Sequence, residues 1–177
     1  MNLQDHRLLD ATLTELASTL INQNQSLCTA ESCTGGWIAA CCTSLAGSSQ
    51  WFERGFVTYS NEAKQKCIGV PSQLITQHGA VSQEVAQAMA QGALLNSNAH
   101  WSVSVTGIAG PTGGSAEKPV GLVWFGFAFR PDVNKKQGFS TYTVHMQFPG
   151  NRQAVRFAAV QFALEEILWK IKATSLL

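Results

Sequence analysis

A short apolar run that ends in a polar, glycine-containing turn is the feature that most constrains the fold of this chain. The run covers residues 27–30, and Ser32 and the Gly35-Gly36 pair follow it before a segment of small apolar residues begins. This order predicts a buried strand, a tight turn that carries Ser32, and a helix over residues 34–45. Such a unit is typical of α/β proteins, in which ligands bind at the carboxyl ends of the strands.

The rest of the chain continues this alternation of helices and strands. Leucines at positions 9, 13, 16 and 20 predict an amphipathic helix near the N-terminus. Further strands are predicted over residues 55–59, 101–105, 120–129 and 139–148, and further helices over 60–68, 71–78, 83–95 and 151–172. The sequence therefore predicts an α/β protein in three layers, and its 177 residues are the size of one domain, residues 1–177.

Composition and charge argue against several classes of function. The net charge is +1 and no dense basic run occurs, so nucleic acid is not the expected partner. The N-terminus is polar and no uninterrupted apolar stretch is long enough to span a bilayer, so we expect a cytoplasmic protein without membrane association. The five cysteines lack metal-ligand spacing and are expected to be free thiols. Charged residues make up only 13% of the chain, which leaves room for a homo-oligomer interface.

Ser32 is the candidate nucleophile. The first turn of a helix has unpaired N–H groups, and a hydroxyl beside them can attack a carbonyl while the N–H groups hold the resulting oxyanion. On position alone, a serine at a strand-to-helix junction is more often a plain N-cap. Cys33 is the alternative nucleophile, although a cysteine in an apolar α/β core is more often a buried structural thiol.

Two residues are candidates for the base that Ser32 needs. Lys64 lies one turn into the helix that follows Tyr59, and a lysine partly removed from water can be neutral near neutral pH. A lysine at this position is otherwise a solvated helix residue. His78 is the other candidate, and it would need a glutamate to orient it because the aspartates are far from these motifs.

A glycine-rich loop and two arginines are the candidate binding elements. The loop over residues 107–115 has neither a P-loop nor a dinucleotide fingerprint, but its N–H groups can form an anion-binding nest. A flexible loop is equally compatible with this composition. Arg152 and Arg156 lie one turn apart at the start of the last helix, where they either grip a phosphate or form a solvated face.

Several motifs of the chain together resemble those of the CinA C-terminal-domain family, the nicotinamide mononucleotide (NMN) deamidases. The matching segments are TAESCTGG (29–36), GSS (47–49), RGFVTYSNEAK (54–64), HGAVS (78–82), TGIAGP (106–111), GGS (113–115), EKPVG (117–121) and FPGNR (148–152). The resemblance covers about residues 8–170. It implies a stand-alone domain with an α/β/α sandwich over a mixed, mainly parallel sheet.

The resemblance also implies a reaction and the residues that carry it out. The reaction is hydrolysis of the NMN carboxamide to nicotinate mononucleotide and ammonia, in pyridine nucleotide salvage, without a metal or cofactor. Ser32 is implied to be the nucleophile and Lys64 the base, with Tyr59 assisting. The implied substrate-binding residues are Glu31, Thr34, Gly35, Gly36, Thr106, Gly107, Gly110, Gly113, Gly114 and Arg152. A catalytically silent nucleotide-binding paralogue is the alternative.

Overall fold

The chain folds into six α-helices and five strands within residues 3–135 and 137–174, which are the residues that the computed structural model describes. The α-helices are α1 (Leu3–Asn22), α2 (Trp37–Ser44), α3 (Asn61–Ile68), α4 (Ser72–His78), α5 (Gln83–Leu95) and α6 (Arg152–Thr174). The strands are β1 (Leu27–Glu31), β2 (Phe52–Val57), β3 (Trp101–Gly107), β4 (Leu122–Phe129) and β5 (Ser140–Gln147), and a 3-10 turn covers Ser48–Gln50. None of the described helices combines the length and the apolarity that crossing a bilayer requires.

The five strands form one sheet in the order β2-β1-β3-β4-β5. Strand β1 pairs in parallel with both β2 and β3, whereas β4 is antiparallel to β3 and to β5. Among the described strands, only β4 therefore runs against the common direction. The predicted mixed, mainly parallel sheet is confirmed.

The sheet lies between two layers of helices, so the three-layer prediction is also confirmed. Strand β1 shows why: Leu27 belongs to the core that α1, α2 and α6 cover, whereas Cys28 and Ala30 belong to the core under α3, α4 and α5. Successive side chains of a strand point to opposite faces, and all five residues of β1 are buried. A strand covered on both faces in this way has a continuous apolar run rather than an alternating one.

Most predicted element boundaries lie close to the observed ones. Ser60 and Ser82 cap α3 and α5, their side chains accepting hydrogen bonds from Ala63 N and Val85 N. The largest shifts are at β2, which begins three residues earlier than predicted, and at α2, which begins three residues later than predicted. The parallel register aligns Glu31 of β1 with residues at the ends of both neighbouring strands. The turns that follow β1, β2 and β3 therefore meet at one edge of the sheet.

Candidate active site

Ser32 follows β1 directly and is held at the carboxyl edge of the sheet by backbone hydrogen bonds. Its N–H donates to Val105 O of β3 at 2.9 Å, and Thr58 N donates to Glu31 O at 2.8 Å from the other side. These bonds continue the parallel pairing one residue past the end of β1. Ser32 thus lies between the ends of β2 and β3, on backbone that neighbours fix on both sides.

Lys64 reaches Ser32 from α3. Its Nζ lies 2.9 Å from Ser32 Oγ, 2.8 Å from Thr58 O and 3.3 Å from Tyr59 O. The two carbonyl oxygens can only accept hydrogen bonds. A neutral amine has two N–H donors and one lone pair, so donation to both carbonyls directs the lone pair to the Ser32 hydroxyl. The geometry thus suits a lysine that removes the hydroxyl proton.

Burial favours the neutral form of Lys64. The residue is only 1% exposed, and it belongs to none of the ion pairs between described residues. Removing an ammonium from water without a carboxylate partner destabilises its charge, and this desolvation lowers the pKa of Lys64 from 10.5 to about 8. A substantial fraction of the amine is therefore neutral at mildly alkaline pH.

Glu31 has a different role from the predicted one. It is completely buried, and its carboxylate accepts hydrogen bonds from Gly36 N, Ile38 N and Ala39 N at 2.9–3.0 Å. Thr29 Oγ1 is 3.3 Å from the same carboxylate. The expectation that the first turn of α2 presents unpaired N–H groups to an oxyanion is wrong for these three groups, because Glu31 occupies them. Glu31 thus caps the N-terminus of α2 and ties the start of this helix to the end of β1, on either side of the Ser32 turn.

We expect Glu31→Ala to lower the free energy of unfolding by about 3 kcal/mol, because it leaves buried N–H groups without an acceptor. Urea denaturation monitored by tryptophan fluorescence measures the loss. Glu62→Ala is the matched control: Glu62 also lies in the first turn of a helix, but it is exposed in an ion pair with Lys66 and should contribute at most about 0.5 kcal/mol. Equal losses in the two variants would contradict the capping role.

A cavity of about 230 Å³ opens beside the Ser32 hydroxyl. The predicted site residues that line it are Ser32, Lys64, Tyr59, Thr106, Gly107 and Arg152. The structure therefore brings together residues from four segments of the chain. Sequence reasoning did not assign Asn61, Ala80, Val81 or Ala109, which also line the cavity, although all four lie within the motifs quoted above.

Tyr59 and Arg152 form the mouth of this cavity. Arg152 donates from Nη2 to Tyr59 Oη at 3.1 Å and from Nη1 to Gly110 O at 3.0 Å. The Tyr59 side chain is 60% exposed, and its hydroxyl faces Arg152, whereas its backbone carbonyl faces Lys64. Thr106 lies deeper, and its hydroxyl donates to Ala80 O at 2.8 Å.

The other predicted binding residues lie around the cavity and not among its lining residues. Gly35 and Gly36 have positive φ values of 64° and 91°, and they turn the chain into α2. Thr34 is completely buried. Gly110 contributes its carbonyl to Arg152, while Gly113 and Gly114 are in the exposed part of the loop. A Cβ at Gly114 would lie 2.7 Å from Val120 N, so the loop packs closely on the segment before β4.

The alternatives for nucleophile and base are less well placed. Burial raises the pKa of the Cys33 thiol to about 12, which keeps it protonated and unreactive near neutral pH. His78 does lie beside a glutamate, with Nδ1 3.4 Å from Glu84 Oε1. That pair, however, lines a neighbouring cavity and not the one that holds Ser32.

Arg156 does not join Arg152 in facing the cavity. It donates from Nε to Cys33 O at 3.1 Å and from Nη2 to Thr34 O at 2.7 Å, and its guanidinium lies 5.3 Å from the centre of the Trp37 ring. The interpretation of the two arginines as a phosphate-gripping pair is therefore wrong for Arg156.

Among the described residues, no group of three or more His, Cys, Asp or Glu side chains is placed to hold a metal ion.

The fold and the site define a class: an α/β protein that holds a buried serine–lysine pair beside a small-molecule cavity at the carboxyl edge of its sheet. The chain belongs to the CinA family, whose C-terminal-domain model matches residues 10–171. It is 51% identical over 156 residues to the nicotinamide-nucleotide amidohydrolase PncC of Escherichia coli K12, covering 88% of this chain and 90% of that one. The corresponding protein of Pseudomonas putida is 47% identical, covering 88% and 92%.

Solved structures agree with this assignment. The competence/damage inducible protein CihA of Agrobacterium tumefaciens superposes with a TM-score of 0.86 at 41% identity, covering 93% of this chain and 96% of that one. The competence damage-inducible protein A of Klebsiella pneumoniae gives a TM-score of 0.85 at 35% identity, covering 93% and 97%. The predicted family is confirmed, and the amidohydrolase names of the curated relatives confirm that the chain is an enzyme of that class.

Proposed function

We propose that this protein hydrolyses the carboxamide of NMN to nicotinate mononucleotide and ammonia, as a step of pyridine nucleotide salvage. The contact between Lys64 Nζ and Ser32 Oγ, at 2.9 Å in a buried site, is the observation that carries the proposal. The curated relatives support the choice of substrate, since their name describes them as amidohydrolases of nicotinamide nucleotides.

In the proposed reaction Ser32 forms an acyl-enzyme. Its Oγ attacks the carboxamide carbon while Lys64 Nζ takes the hydroxyl proton. Collapse of the tetrahedral intermediate breaks the C–N bond, and the Lys64 ammonium returns the proton to the leaving nitrogen, which departs as ammonia. Water then attacks the ester carbon and gives a proton to Lys64. The C–O bond to Ser32 breaks, Ser32 recovers its proton, and nicotinate mononucleotide leaves.

The remaining lining residues would bind the nucleotide. Arg152 is at the cavity mouth and uses two of its five N–H donors on Tyr59 and Gly110, which leaves donors for a phosphate. The exposed ring of Tyr59 offers an apolar surface beside the same mouth. Thr106 and Gly107 would contact the part of the substrate nearest Ser32.

We expect Arg152→Lys to raise KM for NMN about tenfold or more with a smaller change in kcat, because lysine cannot form the bidentate contact to a phosphate. Steady-state ammonia release measures both constants. Nicotinamide riboside, which lacks the phosphate, is the control substrate, and its kcat/KM should hardly differ between the two proteins. An equal loss with both substrates would assign Arg152 to organising the loop instead.

We also propose that the protein is a single cytoplasmic domain that works as a homo-oligomer without nucleic acid or a membrane. The balanced charge of the chain supports the expectation that nucleic acid is not a partner. Large apolar side chains that remain exposed, among them Val57 and Trp169, support an interface between subunits. Size-exclusion chromatography with light scattering tests the oligomeric state.

Ammonia release from NMN is the direct test of the proposed function. A catalytically silent nucleotide-binding paralogue is the second candidate. Calorimetry and product analysis together distinguish the two. The paralogue would bind NMN in calorimetry but would produce neither ammonia nor nicotinate mononucleotide.

A further inference from the structure

We propose that Arg156 is a positioning residue, which holds the Ser32 turn so that the unused N–H groups of Cys33 and Thr34 are available to the reacting carbonyl oxygen. The proposal rests on the proposed function in that it assumes Ser32 to be the nucleophile. It concerns a side chain that lies outside the cavity and belongs to none of the ion pairs between described residues.

The hydrogen bonds of Arg156 fix two consecutive peptide groups. Its guanidinium donates to Cys33 O at 3.1 Å and to Thr34 O at 2.7 Å, while the ring of Trp37 lies against it. An arginine offers its donors in a rigid planar fork, so both carbonyls are held in one orientation. The half-buried charge is compensated by these carbonyls and by the face of the indole ring.

The orientation of the carbonyls determines the orientation of the N–H groups. In a planar trans peptide the C=O and N–H bonds point in opposite directions. The N–H paired with Thr34 O belongs to Gly35 and donates to Ser32 O at 3.0 Å. The N–H paired with Cys33 O belongs to Thr34, and it has no acceptor among the described residues. Arg156 thus turns one unused backbone donor away from itself.

The two sides of the turn differ in chemistry. Arg156 approaches from α6, on the sheet face that α1 and α2 also cover, whereas Lys64 reaches Ser32 from α3 on the opposite face. The Thr34 N–H is directed away from Arg156, and the adjacent Cys33 lines the cavity beside Ser32. Glu31 occupies the N–H groups of Gly36, Ile38 and Ala39. Among the described residues, the N–H groups of Cys33 and Thr34 therefore remain as donors of this turn for an oxyanion.

The test compares Arg156→Lys with the wild type in the labelling of Ser32 by a small alkyl fluorophosphonate. In that reaction Ser32 Oγ forms a bond to phosphorus, the P–F bond breaks, fluoride leaves and Lys64 takes the hydroxyl proton. The phosphoryl oxygen gains charge in the transition state as an amide oxygen would. Arg54→Lys is the matched control, because Arg54 also donates to a backbone carbonyl, that of Asn96, but lies outside the site.

We expect the maximal labelling rate constant of Arg156→Lys to fall at least tenfold, because loss of one oxyanion donor typically costs about 100-fold or more and lysine keeps part of the contact. The half-saturating concentration, the final fraction labelled and the pH midpoint of the rate should stay unchanged, as in Arg54→Lys. A variant that merely unfolds would lose labelled fraction and not rate, so Arg156→Gln is measured in the same way in case Arg156→Lys folds poorly.

The outcomes separate this proposal from the proposed function. Slower labelling in the Arg156 variants supports positioning whether or not the wild type releases ammonia from NMN, whereas absent ammonia release alone counts against NMN as substrate. Labelling of folded Arg156→Lys and Arg156→Gln at the wild-type rate would overturn the positioning role. So would a wild-type protein that the reagent does not label at Ser32.

Discussion

Ser32→Ala should reduce ammonia release from NMN by at least about 1000-fold, because the variant has no nucleophile in the site. The change removes one hydroxyl from a residue that is 9% exposed, and the backbone bond from Ser32 N to Val105 O is retained. The thermal unfolding midpoint should therefore stay close to that of the wild type. Coupled detection of ammonia measures the rate, and calorimetry shows whether NMN still binds.

Cys33→Ala is the matched control for this variant. Cys33 is adjacent to Ser32 and also lines the cavity, but its raised pKa keeps the thiol protonated. We expect this variant to retain most of the wild-type activity. If Cys33→Ala loses activity while Ser32→Ala retains it, the assignment of the nucleophile is wrong.

Lys64→Arg should reduce kcat/KM by about 100-fold or more although it preserves the positive charge. A guanidinium stays protonated at every pH at which the enzyme is folded, so it cannot take the proton of Ser32. In the wild type, kcat/KM should rise with pH to a plateau, with a midpoint near the Lys64 pKa of about 8. The sign follows from the base role, because raising the pH above this pKa increases the neutral fraction of the amine.

Lys66→Arg is the control for Lys64→Arg, since Lys66 lies on the same helix but is exposed in an ion pair with Glu62. Its rate and pH profile should match those of the wild type. A Lys64→Arg protein with most of the wild-type rate would mean that Lys64 only supplies charge. The base would then have to be another group, and His78 beside Glu84 would be the first to test.

The strand–turn–helix unit around Ser32 was predictable because its signals are local. An apolar run, a polar residue and two glycines determine where β1 ends and where the chain turns, and the glycines do adopt positive φ. The capping serines Ser60 and Ser82 are local signals of the same kind, since each bonds to an N–H three residues on. The family resemblance depends on such segments, and it is confirmed.

The partners of Lys64, Glu31 and Arg156 were less accessible to sequence reasoning. The family motif predicts that Lys64 is a base. It does not show that the backbone carbonyls of the turn after β2 direct the lone pair of this lysine. The family resemblance predicts that Glu31 binds substrate, but its carboxylate accepts hydrogen bonds from the N–H groups at the start of α2. Helical spacing predicts that Arg152 and Arg156 act as a pair, yet the two side chains donate hydrogen bonds to different loops.

The sequence by itself determined the elements, the class of fold and the family, because hydrophobic periodicity, caps and glycine turns act over a few residues. Only the tertiary structure decided the electrostatics of the site. The pKa of Lys64 depends on how completely other segments exclude water from it, and the Cys33 carbonyl of the Ser32 turn accepts a hydrogen bond from Arg156, 123 positions away. Burial and long-range hydrogen bonds exist only after the layers have packed, so no local pattern encodes them.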